Sequence, residues 1–127
     1  MNPKIEVVRR RCDRLTELEY LCCYRNNFGR KGEMQESLVD CVRDKSYAYM
    51  ARVDGDFAGW ALFELDCSAI HPYNRAMFFV LADYRRMGVG TKLGKRIIKD
   101  FGVFRTRGWD ERSDGFFVSL GVWMHRF

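Results

Sequence analysis

Two histidines and two prolines are all that this 127-residue chain has of either type, and its cysteines include no Cys-x-x-Cys pair. A zinc site is therefore not expected, because zinc needs clustered thiolates and imidazoles. The five cysteines are Cys12, Cys22, Cys23, Cys41 and Cys67. Their odd number argues against a disulfide framework, and they read as small buried apolar residues in a reducing cytoplasm. No apolar run approaches the roughly 20 residues of a membrane helix, so no membrane partner is expected. The opening MNPKIEVVRRR lacks the apolar centre of a secretion signal. No repeat, low-complexity tract or linker divides the chain, and a single domain over residues 1–127 is expected.

What is present is core. The chain is 47% hydrophobic and 15% aromatic, with a formal net charge of +5. Lys4–Arg11 alternates and reads as a strand. From Asp13, a capping residue, Leu15, Leu18, Leu21 and Cys22 recur at helical spacing. Asn26–Gly32 is a loop, and Met34, Leu38, Cys41 and Val42 share one face of a second helix. Ser46–Val53 and Phe57–Leu65 flank Asp54-Gly55-Asp56, and Asp-Gly suits the positive backbone angles of a tight hairpin. Ser68–Asn74 is a loop. Arg75–Ala82 is a buried central strand. Val89, Leu93, Ile97 and Phe101 repeat every four residues, as on a helix with one buried stripe. Thr106–Gly115 reads as a polar loop and Phe116–Val122 as a last strand. The order β-α-α-β-β-β-α-β gives an α/β (α+β) domain with a mixed, mainly antiparallel sheet flanked by helices.

The stretch YRRMGVGTKLGKR, Tyr84–Arg96, stands out between the central strand and the following helix. A helix N-terminus presents unpaired amides and partial positive charge. Glycines in the entry turn let a ligand approach those amides, a combination that holds phosphate. Lys92, Lys95, Arg96 and Lys99 add cations there, and placing cations at a helix start opposes its dipole unless an anion binds. A tight turn followed by a solvated basic face is the alternative. No Gly-x-x-x-x-Gly-Lys-Ser/Thr occurs, and Leu93 occupies the third glycine position of a dinucleotide fingerprint.

FFVLADYRRMGVGTKL resembles the acyl-CoA-binding signature of the GNAT superfamily of N-acetyltransferases. The pattern Arg/Gln-x-x-Gly-x-Gly/Ala is met by Arg85, Gly88 and Gly90, and Gly59 in VDGDFAGWALF is similar to a glycine that begins the family's third strand. The resemblance implies acetyl-CoA as co-substrate and no metal. It implies backbone amides of Arg86, Met87, Gly88, Val89, Gly90 and Thr91 around the pyrophosphate, with Arg85 opening the motif. Phe78, Phe79 and Val80 would pair with the pantetheine arm, in a gap between strands Arg75–Ala82 and Phe116–Val122. The family commonly continues with a helix and two further strands, for which the residues up to Phe127 leave room for one helical turn. Self-association, with each tail covering the other subunit's open edge, is therefore expected.

Acetyl transfer needs a neutral amine. At pH 7 a lysine is neutral in roughly one molecule in 2,500 and an α-amine in roughly one in seven. A lysine acceptor therefore needs a general base. Glu64, interrupting an apolar strand, and His71, in the loop before the central strand, are the candidate catalytic residues. The amide of Val80 is a candidate for polarising the thioester carbonyl. Tyr73 and Tyr84 could supply a proton; Cys67 could be a nucleophile, but no histidine partner is identifiable for it and it reads as a buried thiol. The expected partners are acetyl-CoA and an amine or a protein. The alternatives are a GNAT-like module that binds without catalysis and a basic nucleic-acid binder using Lys92–Lys99 with Arg105 and Arg107, for which no groove-reading motif is present.

Overall fold

The computed structural model describes residues 3–25, 46–65, 74–107, Leu120 and 123–125. Among the described residues six strands form one sheet in chain order: β1 (Ile5–Arg11), β2 (Ser46–Val53), β3 (Asp56–Glu64), β4 (Arg75–Val80), β5 (Arg105–Arg107) and β6 (Trp123–His125). The first four pair antiparallel with one another; β5 runs parallel to β4, and β6 parallel to β5. Helix α1 (Glu17–Arg25) and helix α2 (Val89–Phe101) accompany the sheet. The expected mixed, mainly antiparallel sheet with helices is what the chain forms. The helix expected around Met34–Val42 lies outside the described residues.

Strands β2, β3 and β4 feed two cores. Tyr49, Ala51, Ala61, Phe63, Ala76 and Phe78 point to the face where α2 contributes Val89, Leu93 and Ile97. Ala48, Met50, Trp60, Leu62 and Met77 point to the other face, which holds Cys12 and Cys23. Strands covered on both faces explain why β2, β3 and β4 read as near-continuous apolar runs. The β2–β3 turn is the expected hairpin, with Asp54 at φ 50° and Gly55 at φ 92°. Ala58 has no partner on β2, because the register steps from Ala51–Gly59 to Arg52–Phe57. This bulge shifts the alternation and lets Trp60 reach the α1 side.

Three expectations change. Helix α1 starts at Glu17, not after Asp13. Thr16 caps it: its Oγ1 accepts from the Glu19 amide at 3.1 Å, and Glu19 Oε1 accepts from the Thr16 amide at 3.0 Å. This reciprocal pair satisfies two amides at once, whereas Asp13 binds Arg11 at 2.9 Å. The buried face also differs, since Leu18 is exposed and Cys23 is buried. Second, the run read as a polar loop begins with strand β5, where Arg105 donates its amide to the Asn74 carbonyl at 2.7 Å. Third, within Phe116–Val122 the described residue Leu120 is helical and packs against α2, and a further strand, β6, follows it. A short apolar run has no periodicity that separates a strand from a buried helical segment. The open edge assigned to Phe116–Val122, on which self-association was argued, is therefore misplaced. Among the described residues β6 flanks β5 and β1 forms the opposite edge.

Candidate functional site

The site begins with how β4 directs its backbone. Leu81 donates to the Ala58 carbonyl at 2.9 Å, and the Asn74 carbonyl accepts from Arg105 at 2.7 Å. Because N–H and C=O of one residue point the same way and alternate along a strand, two sets follow. Phe79 and Met77 turn their backbone to β3, where Phe79 is partnered with Trp60. Ala76, Phe78 and Val80 turn theirs toward β5. Among the sequence candidates Phe78 and Val80 are therefore placed to meet a ligand on that side with their backbone, and Phe79 is not.

On that side β5 leaves. Its ladder with β4 consists of Arg75–Arg105 alone, yet Arg105, Thr106 and Arg107 all pair with β6, at Trp123, Met124 and His125. So β5 remains a regular strand while it diverges from β4 beyond the first pair. The two strands form a wedge that is closed at Arg75 and widens over the described length of β5, in the direction of the Val80 end of β4. At about 3.3 Å per residue, β4 runs about 16 Å from Arg75 to Val80.

The glycine turn follows the Val80 end of β4. Ala82–Tyr84 forms a single 3₁₀ turn, with Tyr84 donating to the Leu81 carbonyl at 2.9 Å. Arg86 then takes φ 65° and Gly88 φ 89°, both left-handed, and α2 starts at Val89. A Cβ on Gly88 would meet nothing within 4 Å, so glycine is required there by its backbone angle. Lys92 makes the first bond back into the helix, to the Gly88 carbonyl at 3.0 Å. The amides of Val89, Gly90 and Thr91 precede it and project from the helix end. Unpaired amides at a helix start are the kind of donor that phosphate takes.

Around this turn the cations divide. Lys92, Lys95 and Lys99 are exposed. Arg96 is not available to a phosphate in this arrangement: its Nε donates to Asp100 Oδ2 at 3.1 Å and its Nη1 to the Val7 carbonyl at 3.4 Å. Asp100 also accepts from the Tyr49 hydroxyl at 2.9 Å and pairs with Arg9 at 3.3 Å. Burial pushes the Asp100 carboxyl up, but Tyr49, Arg96 and Arg9 together hold it below the ordinary value. Burial first, and then the bond to Asp100, push the Tyr49 hydroxyl far up, so it stays a donor. This network ties α2 to β1 and β2. It was missed in the sequence because its members come from three separate elements.

Of the catalytic candidates, Glu64 lies at the end of β3, opposite Arg75, and its Oε1 accepts from Arg75 Nη2 at 2.9 Å. Both share the α1 face with Trp60 and Met77 by strand alternation, beside the closed end of the wedge. The carboxylate of this base candidate is thus engaged by a guanidinium. His71, Tyr73 and Cys67 lie outside the described residues. Tyr84 is half-buried against the α2-side core, which is a packing role. Met87 is exposed. Among the described residues no three metal-ligating side chains gather, and no helix is long and apolar enough to cross a membrane.

Comparison with known proteins follows the same line. No curated protein sequence matches the chain. Among solved structures, aminoglycoside N-acetyltransferase AAC(6')-Iy bound to a CoA-linked bisubstrate analogue superimposes with TM-score 0.66 at 15% identity, over 94% of this chain and 90% of that one. The same enzyme with CoA gives TM-score 0.63 at 18% identity, over 96% and 90%. A ribosomal-protein-alanine N-acetyltransferase from Brucella melitensis biovar Abortus 2308 gives TM-score 0.59 at 15% identity, over 91% and 90%. At these identities the likeness establishes the fold. The family model of the GNAT acetyltransferases matches residues 12–121, a span that takes in the wedge, the glycine turn and α2, and on that match the chain belongs to the GNAT acetyltransferase family.

Proposed function

We propose that this protein transfers an acetyl group from acetyl-CoA to an amine. The observation that carries the proposal is the divergence of β5 from β4, a strand whose far end leads into the left-handed glycine turn that opens α2. Family membership and the CoA-bound structures of similar fold support it. The residues fit the cofactor's shape and charge. The amides from Arg86 to Thr91 would hold the pyrophosphate, with Lys92 and Lys95 nearby for the remaining negative charge. The backbone of Phe78 and Val80, facing the wedge, would bond the pantetheine arm. Acetyl-CoA supplies an acyl group activated as a thioester.

The chain's own contribution is then positioning. The reaction forms an N–C bond and breaks a C–S bond; the amine gives up one proton and the departing sulfur takes one. A wedge-facing β4 amide, Val80 or Phe78, would stabilise negative charge on the carbonyl oxygen. Glu64 stands level with Arg75, about 10 Å along the strands from Phe78, so it would accept the amine proton only through a relay of waters; His71 is the other candidate. Holding the amine within attack distance accounts for the rest.

A module that binds acetyl-CoA without transferring its acyl group is the second reading, favoured by the engagement of Glu64 with Arg75. Release of free thiol from acetyl-CoA, measured over a panel of α-amines, lysine peptides, polyamines and amino sugars, separates the two. Turnover with any class supports transfer; tight acetyl-CoA binding with no thiol release across the panel supports the module. The cytoplasmic setting and a homodimer belong to the same proposal, and light scattering at tens of micromolar tests the dimer, which a monomer would refute.

A further inference from the structure

The peptide group linking Val80 to Leu81 is held from both sides. Its N–H, on Leu81, donates to the Ala58 carbonyl of β3 at 2.9 Å. Its C=O, on Val80, accepts from the Nε of Arg85 at 3.0 Å. Val80 is the last residue of β4, and its carbonyl points to the β5 side, into the wedge. Arg85 reaches it because the 3₁₀ turn Ala82–Tyr84 reverses the chain, and the Arg85 amide itself donates to the Ala82 carbonyl at 3.3 Å. The side chain thus closes a loop between the end of β4 and the start of the glycine turn. Immediately beyond it the backbone enters left-handed space at Arg86 and again at Gly88.

This geometry gives Arg85 two effects. It fixes the entry to the turn against the strand, and so fixes where the α2 amides stand relative to the wedge. It also covers a carbonyl oxygen whose negative end would otherwise face the same space as a polyanion. A bare carbonyl there would oppose phosphate as directly as the helix amides attract it. We infer that Arg85 is a positioning residue that acts through the Val80 carbonyl, and that its guanidinium is not itself a phosphate ligand. The inference rests on the acetyl-CoA reading for its consequence, but not for its structural content.

The test compares Arg85→Ala and Arg85→Gln, since glutamine keeps an N–H donor without the charge. Two readouts keep the inference distinct from the functional reading. The first is amide hydrogen exchange of the protein alone at Leu81–Arg85. Exchange there is expected to rise severalfold in Arg85→Ala and to return toward wild type in Arg85→Gln. The second is acetyl-CoA affinity by calorimetry from about 50 to 300 mM salt. Arg85→Ala is expected to weaken binding about tenfold, the scale of one hydrogen bond from a charged donor. Arg85→Gln is expected to recover most of that loss with the salt dependence of the wild type. Unchanged exchange in Arg85→Ala overturns the inference, whether or not acetyl-CoA binds. So does an Arg85→Gln protein that binds as poorly as Arg85→Ala with a flatter salt dependence, which would make Arg85 a phosphate contact. A wild-type protein that ignores acetyl-CoA while its exchange pattern follows the expectation would refute the functional reading and leave the clamp supported.

Discussion

Removing Asp100 tests how α2 is held on the sheet. The Asp100 side chain is 14% exposed and its Oδ2 takes a bond from the wholly buried Tyr49, while Arg9 and Arg96, which meet the same oxygen, are 40% and 38% exposed. The contributions differ accordingly. A buried hydroxyl donating to a carboxylate contributes about 1.5–3 kcal/mol, and without its acceptor it is left unsatisfied. The two arginines can turn to water, so each ion pair contributes about 0–1 kcal/mol. Asp100→Ala is therefore expected to cost about 2–4 kcal/mol, a fall in Tm on the order of 10 °C for a chain of this size. Asp100→Asn keeps an acceptor for Tyr49 and should cost about half as much.

The pH dependence has a definite sign. The Asp100 carboxyl titrates below its ordinary value in the folded protein. Its stabilisation is therefore fully present above the unfolded carboxyl's value of about 3.9 and is lost as pH falls through the lower folded value. Urea unfolding followed by tryptophan fluorescence at pH 7 and near pH 3 should show the gap between wild type and Asp100→Asn shrinking in acid. In a double-mutant cycle with Tyr49→Phe the two substitutions should couple by about 1 kcal/mol or more. An Asp100→Ala cost below about 0.5 kcal/mol, or a gap that ignores pH, would refute the reasoning.

Other substitutions probe the site. A Cβ at Gly59 would stand 2.7 Å from the Phe79 carbonyl oxygen and 3.1 Å from the Val80 Cα. Gly59→Ala must therefore push β3 from β4, at about 1–3 kcal/mol, and should weaken acetyl-CoA binding by misplacing the Val80 amide; wild-type stability and affinity would contradict this. Lys92→Ala with Lys95→Ala should lower acetyl-CoA affinity and flatten its salt dependence, because exposed charges are screened over about 8–10 Å; an unchanged salt dependence would remove both lysines from the site. Glu64→Gln and His71→Ala separate the base candidates: the acting one should lower turnover by about 10²–10⁴ with affinity retained. Full activity in both would leave attack by an amine that is already neutral.

The parts of the fold that could be read in advance are those whose signal is local. The four-residue stripe of α2 is the buried row Val89, Leu93 and Ile97. Asp54-Gly55 set its hairpin by backbone angle alone, and the wedge's glycine turn lay where an apolar strand meets that stripe. What escaped is what depends on distant partners. Strand β5 is three residues, two of them arginine, and it is a strand because Asn74 and β6 pair with it. Gly102 ends α2 at φ 86° and donates to the Ile98 carbonyl at 2.8 Å. Gly94 gives room to Leu120, whose Cδ1 lies 2.5 Å from where a Cβ would be. Arg96 looked like a phosphate cation until β1 supplied Val7 and α2 supplied Asp100. That Arg75 stands opposite Glu64 depends on the β3–β4 register, which no local pattern carries.

The most direct test of acetyl-CoA binding at the glycine turn is isothermal titration of acetyl-CoA into the wild-type protein and into Gly88→Val. Valine at φ 89° is strained by about 1–3 kcal/mol and turns the first amides of α2 away from a common point. The expected result is saturable binding of one acetyl-CoA per chain in the wild type, and loss of that binding in Gly88→Val with its circular dichroism preserved. No binding to the wild type, or equal affinity in a folded Gly88→Val, would contradict the account.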